Sequence, residues 1–437
     1  MLDENLPKAV HNHTTFTFPE GFLWGAATSA HQVEGNNFFN DWWEYEQTLN
    51  PSFRSGEAAD QYKRFHEDFE LAKSLSQNSH RLSVEWSRIE PEEGKFDPEA
   101  IEHYKKVLAS LKSLDFTVML TLWHFTLPAW VAKKGGWENE KTVFYFERFV
   151  KKVAMELGGY IDYWITINEP GVYSYMSYLS GKWPPLIKDK WRAFLVLKRL
   201  AKAHKRAYKI IHQQIPDAQV GLAHNVFSFE NSQSHSLLQH LLVWIYDLII
   251  NHFIFFLTGK GTHDFLGLNY YLHERIGSHK GSRFPSVLDP SMTKKDVSDM
   301  GWELYPEGMF DILKDFSDFG KPIIITENGL ASTNDDRRCR FLIAYLKEIY
   351  HAIVSGVDVK GYFHWSLIDN FEWGEGFGPR FGLIEIDYKT KRRTPRPSAS
   401  VYANVIRHNG LPHYLLRFLG HTVNASEVLA YDWQIHS

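Results

Sequence analysis

The sequence predicts an α/β fold, a single (β/α)8 (TIM) barrel, on three observations. Eight short runs rich in β-branched and apolar residues recur along the chain, with helical periodicity between them. Polar side chains gather at or just beyond the C-terminal ends of those runs, where a parallel barrel places its chemistry. The 437 residues, 44% of them hydrophobic, are ample for one large barrel, and no Ser/Gly/Pro-rich linker divides them.

In chain order, the strands are expected at 22–27, 79–86, 116–123, 161–167, 219–224, 264–269, 322–326 and 359–365. Between them, Tyr62, Phe65, Phe69, Ala72 and Leu75 have the spacing of one helical face. Further helices are expected over 98–114, with Asp97 placed to cap it, over 142–157, and over 193–214. The alternation calls for a parallel sheet with crossover helices, and eight units suggest closure. The whole chain, 1–437, reads as one domain, with no repeat or low-complexity tract. Residues 237–257 are strongly apolar and about long enough to cross a bilayer, but they contain His240, Asp247, Asn251 and His252. An Asp mid-membrane costs about 2.5–3.5 kcal/mol. The expectation is therefore a helix packed on the barrel, without membrane contact. An exposed apolar face would instead favour a membrane or an oligomer interface.

Bulk properties narrow the function. A net charge of −4 offers no footprint for nucleic acid or an acidic membrane. The single cysteine, Cys339, excludes an internal disulfide and a Cys-rich metal site. Residues 1–20 lack the apolar core of a secretory signal, so a reducing, cytoplasmic setting is expected. The glycosylation-type triplets at Asn12 and Asn424 then read as chance. Aromatic content of 15%, with 15 Trp, suits a sugar pocket, where ring faces pack on C–H patches.

Two stretches carry the chemistry: Trp164-Ile165-Thr166-Ile167-Asn168-Glu169-Pro170 and Pro322-Ile323-Ile324-Ile325-Thr326-Glu327-Asn328-Gly329. Each is a strand-length apolar run that ends in a carboxylate and then a breaker. Two carboxylates at strand ends suit a shared proton-transfer and nucleophilic task. Two ordinary structural roles, a helix N-cap at Asn168 or Glu169 and a turn at Asn328-Gly329, fit the spacing as well. Other polar or aromatic groups fall at the same strand ends: Gln32, Arg81, His124, Asn225, Asn269, Tyr271, Trp365, Glu372 and Trp373.

With these residues in hand, the chain resembles glycoside hydrolase family 1, the retaining β-glucosidase/β-galactosidase group. The resemblance rests on Gln32-Val33-Glu34-Gly35, Arg81-Leu82-Ser83, Asn168-Glu169-Pro170, Asn269-Tyr270-Tyr271, Thr326-Glu327-Asn328-Gly329 and the run from Trp365 to Trp373. It covers about residues 16–411, leaving 412–437 unassigned. It implies Glu169 as acid/base, Glu327 as nucleophile, and Arg81, Asn269 and Tyr271 supporting the nucleophile. It implies Gln32, His124, Asn168, Trp365, Glu372 and Trp373 around the sugar, with Asn225 and Tyr271 also on the substrate side. Trp302 corresponds to an aglycone platform. No metal or cofactor is implied, and the partners are small-molecule β-glycosides. Members acting on 6-phospho sugars carry a Ser/Lys/Tyr phosphate site where Glu372 stands here, and the myrosinase branch has Gln at the position of Glu169. The implied activity is therefore exo-acting hydrolysis of unphosphorylated β-D-glucosides, galactosides or fucosides. Transglycosylation through the same intermediate and a non-hydrolytic sugar-binding barrel are the alternatives. The chain departs from the pattern at Phe125, where the family has Trp, and the loss of an indole N–H is expected to cost about 1–2 kcal/mol in sugar binding. The stretch 225–264 also looks shortened, and the sequence leaves the oligomeric state open.

Overall fold

The eight runs form one closed parallel barrel in the computed structural model, which describes residues 15–232, 237–277, 286–287 and 296–420. The strands are β1 (Leu23–Ala27), β2 (Ser79–Ser83), β3 (Thr117–Thr121), β4 (Tyr163–Asn168), β5 (Gln219–Asn231), β6 (Leu266–Gly277), β7 (Ile323–Asn328) and β8 (Val359–Trp365). Each pairs in parallel with its neighbours in sequence, and β8 pairs with β1 to close the ring. The alternation of a strand sorts side chains to two layers. Met119, Ile165, Ile324 and Phe363 fill the barrel interior. Their neighbours Val118, Leu120, Trp164, Ile323, Ile325 and Tyr362 face outward into the core under the helices. Both faces are dry, which is why these runs are apolar throughout and carry polar groups only at their ends.

The crossover helices include α1 (Gln61–Ser74), α2 (Pro98–Ser113), α3 (Thr142–Leu157) and α4 (Lys190–Gln214). The Asp97 carboxylate caps α2, accepting from the Glu99 N–H at 2.8 Å. Helix α4 begins three residues before its first buried position, Ala193, because Asp189 accepts the N–H groups of Trp191 and Arg192. Beyond these come α5 (Leu237–Asp247), a π-helical turn (Leu248–His252), α6 (Phe253–Thr258), α7 (Glu307–Ser317), α8 (Asp335–Val354) and α9 (Pro397–Arg407). The strand Gly410–Pro412 pairs with Thr15–Thr17, and Leu415 and Phe418 beyond it are buried, so the start of the unassigned tail packs on the core. Asn12 and Asn424 lie outside the described residues.

One expectation needs correction and another gains detail. Strands β5 and β6 do not stop at His224 and Asn269 but run on as a pair to Asn231 and Ile276. Arg275 holds that extension, bonded to Glu230 and to Glu303. The apolar segment over 237–257 does pack on the barrel, but over 237–252 it does so through its polar side, where Gln239 and Asn251 are the buried positions. Beyond them Ile254 and Phe255 enter the core. Asn251 makes two hydrogen bonds to the Phe227 backbone, at 2.8 and 2.9 Å. His252 bridges Asp247 and Asp315, which raise its pKa to about 9 through hydrogen bonds and charge. Leu237, Leu241, Trp244, Leu248, Ile249 and Phe256 face outward and are exposed.

Candidate active site

Strand β4 delivers Asn168 and Glu169 to the C-terminal end of the barrel, and β7 delivers Glu327 to the same end. Glu169 occupies the N-cap position of the short helix Pro170–Ser174, with φ of 43°, yet its side chain makes no capping bond. Its Oε1 instead accepts from the Asn269 amide at 2.8 Å and the Asn225 amide at 3.2 Å. The N-cap alternative is therefore excluded for its carboxylate. The turn alternative for Asn328-Gly329 describes a different pair of roles. The Asn328 amide donates to the Tyr270 carbonyl at 2.7 Å. Gly329 lies so close to β8 that a Cβ would sit 1.8 Å from the Trp365 carbonyl oxygen. This position admits only glycine, and the resulting contact seats the end of β7 against Trp365.

The two carboxylates meet different surroundings. The Glu327 Oε1 lies 2.5 Å from the Arg81 guanidinium, and its Oε2 accepts from the Tyr271 hydroxyl at 2.9 Å. Arg81 is itself fixed by the Thr121 hydroxyl, the Thr326 carbonyl and, at 2.7 Å, the Asn168 Oδ1. Burial raises the Glu327 pKa, and the charge of Arg81 and the Tyr271 hydrogen bond oppose it. Among the described residues, no cation bonds Glu169. Burial, and then the neighbouring Glu327 charge, push its pKa to about 8. Arg81 and Tyr271 thus favour the ionised form of Glu327, whereas Glu169 keeps its proton at neutral pH. The Thr326 hydroxyl donates to the Asn269 Oδ1 at 2.6 Å, which turns the Asn269 N–H groups toward Glu169 and Asn168.

A second group lies beside this network. The Gln32 amide donates to Asn370, to the Phe371 carbonyl and to the Glu372 carboxylate, the last at 3.3 Å. Burial, followed by the charges of Glu327 and Glu169, raises the Glu372 pKa to about 8. Aromatic rings wall the space. His124 stacks with both Trp365 and Trp373, and its Nε2 lies 3.4 Å from the Asn168 amide. Burial and the Arg81 charge hold the His124 pKa well below its usual range, so the ring is neutral. Trp302 packs against Tyr271 and Phe381.

The structure thus gathers Arg81, His124, Asn168, Glu169, Asn225, Asn269, Tyr271 and Glu327 into one bonded network, with Gln32, Glu372, Trp365 and Trp373 beside it. Two placements refine the expectations. Asn225, expected on the substrate side, donates to Glu169 itself. Asn269, expected to support the nucleophile, bonds Glu169 directly and also lowers the Glu327 pKa. Sequence reasoning missed Trp42, Trp183 and Asp41. Both tryptophans pack on Trp373, and Trp183 also packs on Phe125. The half-buried Asp41 carboxyl accepts the Leu127 N–H and anchors the loop that follows His124. Only the surplus of tryptophan hinted at the first two.

Comparison with known proteins is consistent with this geometry. The family model described as "Glycosyl hydrolase family 1" matches residues 14–240 and 253–411. A 1,4-beta-D-glucan glucohydrolase of Thermotoga neapolitana is 32% identical, over 90% of this chain and 99% of that protein. Among solved structures, a beta-glycosidase from Pyrococcus horikoshii superposes with a TM-score of 0.86 at 38% identity, covering 93% of this chain and 99% of that one. A beta-glucosidase from Thermotoga maritima in complex with glucoimidazole superposes with a TM-score of 0.85 at 30% identity, covering 90% and 99%.

Proposed function

The chain belongs to glycosyl hydrolase family 1 and is a glycoside hydrolase, and from that premise we propose an exo-acting, retaining β-glycosidase that cleaves unphosphorylated β-D-glucosides, and also galactosides and fucosides. The observation that carries the reading is the contrast between two buried carboxylates in one network. One is bonded to a guanidinium and a phenol, and the other to two amides.

In the first step Glu327 attacks the anomeric carbon, and the bond to the leaving-group oxygen breaks as Glu169 protonates that oxygen. The product is a glycosyl ester on Glu327. Esterification removes the Glu327 charge that helped hold the proton on Glu169, so the pKa of Glu169 falls. Glu169, now ionised, takes a proton from water, and the water oxygen displaces Glu327 from the anomeric carbon. Two inversions give net retention. The mechanism needs the carboxyls about 5–5.5 Å apart. Asn168 Nδ2, beside His124, is placed to donate to a sugar hydroxyl as the oxocarbenium-like charge develops.

Selectivity for an unphosphorylated sugar rests on Glu372. Its oxygens accept hydroxyl hydrogen bonds, and its side-chain partner is the neutral amide of Gln32, with no cation bonded to it among the described residues to neutralise a phosphate. The Trp373 ring lies next to it. Trp302 forms an apolar platform with Tyr271 and Phe381 that suits an aglycone.

The test is the anomeric form of the first product from an aryl β-glucoside, read by proton NMR before mutarotation. The β-anomer supports the reading, and the α-anomer overturns it. Product analysis with an added alcohol separates hydrolysis from glycosyl transfer. A screen of aryl glycosides differing at C4 and C6 sets the sugar preference, and the 6-phospho substrate is expected to be the poorest.

A further inference from the structure

We propose that the outer face of 237–258, together with the N-terminal half of α4, docks on an anionic lipid surface without crossing it. Over 237–252 the segment is inverted relative to a soluble helix, and only at Ile254 and Phe255 does it turn apolar residues into the core. Its inner side is tied to the barrel by Gln239, Asn251 and the His252 bridge, while its outer side is Leu237, Leu241, Trp244, Leu248, Ile249 and Phe256. Exposure reaches 86% at Leu237, 60% at Trp244 and 81% at Phe256. Residues 237–257 contain two charged side chains, Asp247 and the protonated His252, and both are spent on each other, on Asn251 and on Asp315. The family match breaks over 241–252, inside this segment.

The apolar row continues onto α4. Phe194 stacks on Phe253, and Phe253 on Phe256, so one aromatic strip crosses both elements. Trp191, next along α4, is 72% exposed. A contiguous apolar surface of this kind marks an interaction site.

Charge decides what covers it. The 25 residues of α4 include Lys190, Arg192, Lys198, Arg199, Lys202, Lys205, Arg206 and Lys209, and no Asp or Glu. The net charge of −4 conceals this local excess. Arg192, Lys202 and Arg206 are paired with carboxylates. Lys190 and Lys198 lie over the rings of Trp191 and Phe194. Ammonium groups over exposed rings, beside an uncharged apolar row, match the boundary between lipid headgroups and acyl chains. A second copy would fit less well, because a two-fold contact on this strip sets one basic α4 against another. The barrel remains outside the bilayer, since the inner side of the segment is bonded to it.

The experiment is flotation of the full chain with phosphatidylcholine–phosphatidylglycerol vesicles and with pure phosphatidylcholine vesicles, alongside analytical ultracentrifugation. The wild-type protein is expected to float with the anionic vesicles and to be released as salt is raised. The variant L241S/W244S/I249S is expected to stay at the bottom. K190E/K198E is expected to partition ~10–30-fold less at low salt. Both variants should keep the wild-type circular dichroism, melting temperature and hydrolysis of a soluble aryl β-glycoside. Three outcomes overturn the proposal: wild-type protein that stays at the bottom with both vesicles, a triple variant that floats like wild type, or a wild-type dimer that the triple variant splits with no flotation of either.

Discussion

Glu169 and Glu327 are the same residue type, equally buried, at equivalent strand ends of one barrel, yet they hold protons differently. The difference lies in their neighbours. Glu327 has Arg81 at 2.5 Å and the Tyr271 hydroxyl at 2.9 Å. Glu169 has two amides, and it feels the Glu327 charge. A shared dry site separates two carboxylates by giving the available cation to one of them, and that separation assigns the nucleophile and the acid.

The comparison can be broken most severely at Glu327. Glu327→Gly should lower hydrolysis of an aryl β-glucoside by roughly 10⁴–10⁶-fold. Added azide should restore turnover and yield an α-glycosyl azide, because the small anion enters from the vacated face. A wild-type rate in that variant would remove the nucleophile assignment.

Glu169→Gln should cost roughly 10²–10⁴-fold for a glycoside with a poor leaving group, and much less for an activated aryl glycoside that needs no proton. Equal losses for both leaving groups would show that Glu169 is not the acid. Next in size is Tyr271→Phe, which removes one hydrogen bond to a charged group worth about 1.5–3 kcal/mol, so kcat/KM should fall roughly 10–150-fold.

The smallest effect sharpens the comparison. With its pKa near 8, Glu169 holds the proton it must donate below that pH and loses it above, so kcat/KM should fall as pH rises through about 8. Asn225 donates to the ionised form of Glu169 and so lowers that pKa. Asn225→Ala should move the alkaline limb upward by about 0.5–1 pH, from the loss of about 0.5–1.5 kcal/mol. A downward movement would contradict the assigned bond.

Phe125 shows a different kind of limit. The sequence marks the missing indole, and the structure fills the position with a ring packed on Trp183 and Trp373. Phe125→Trp is accordingly expected to overpack, at about 1–3 kcal/mol of stability, measured by thermal or denaturant unfolding.

Much of the barrel was legible. Runs such as Ile323-Ile324-Ile325 are buried on both faces, so composition alone marks them as strands. Helix α7 was legible from its periodicity, since Met309, Ile312, Leu313 and Phe316 keep helical spacing. The continuation of β5 and β6 was not legible, because 226–231 mixes apolar with polar residues and is held as strand by its pairing with β6 and by Arg275. The inversion over 237–252 was hidden for a related reason. Hydropathy counts apolar residues, whereas the anchoring bonds of Asn251 and His252 come from β5 and α7.

The sequence by itself determined which carboxylates end the fourth and seventh strands, because local pattern sets strand length and the position of the last residue. Folding alone decided their protonation and which side of the apolar helix meets water. Desolvation, the reach of Arg81 from β2 to β7, and the anchoring of Asn251 on Phe227 depend on groups far apart in the chain, and no local pattern encodes the distance between them.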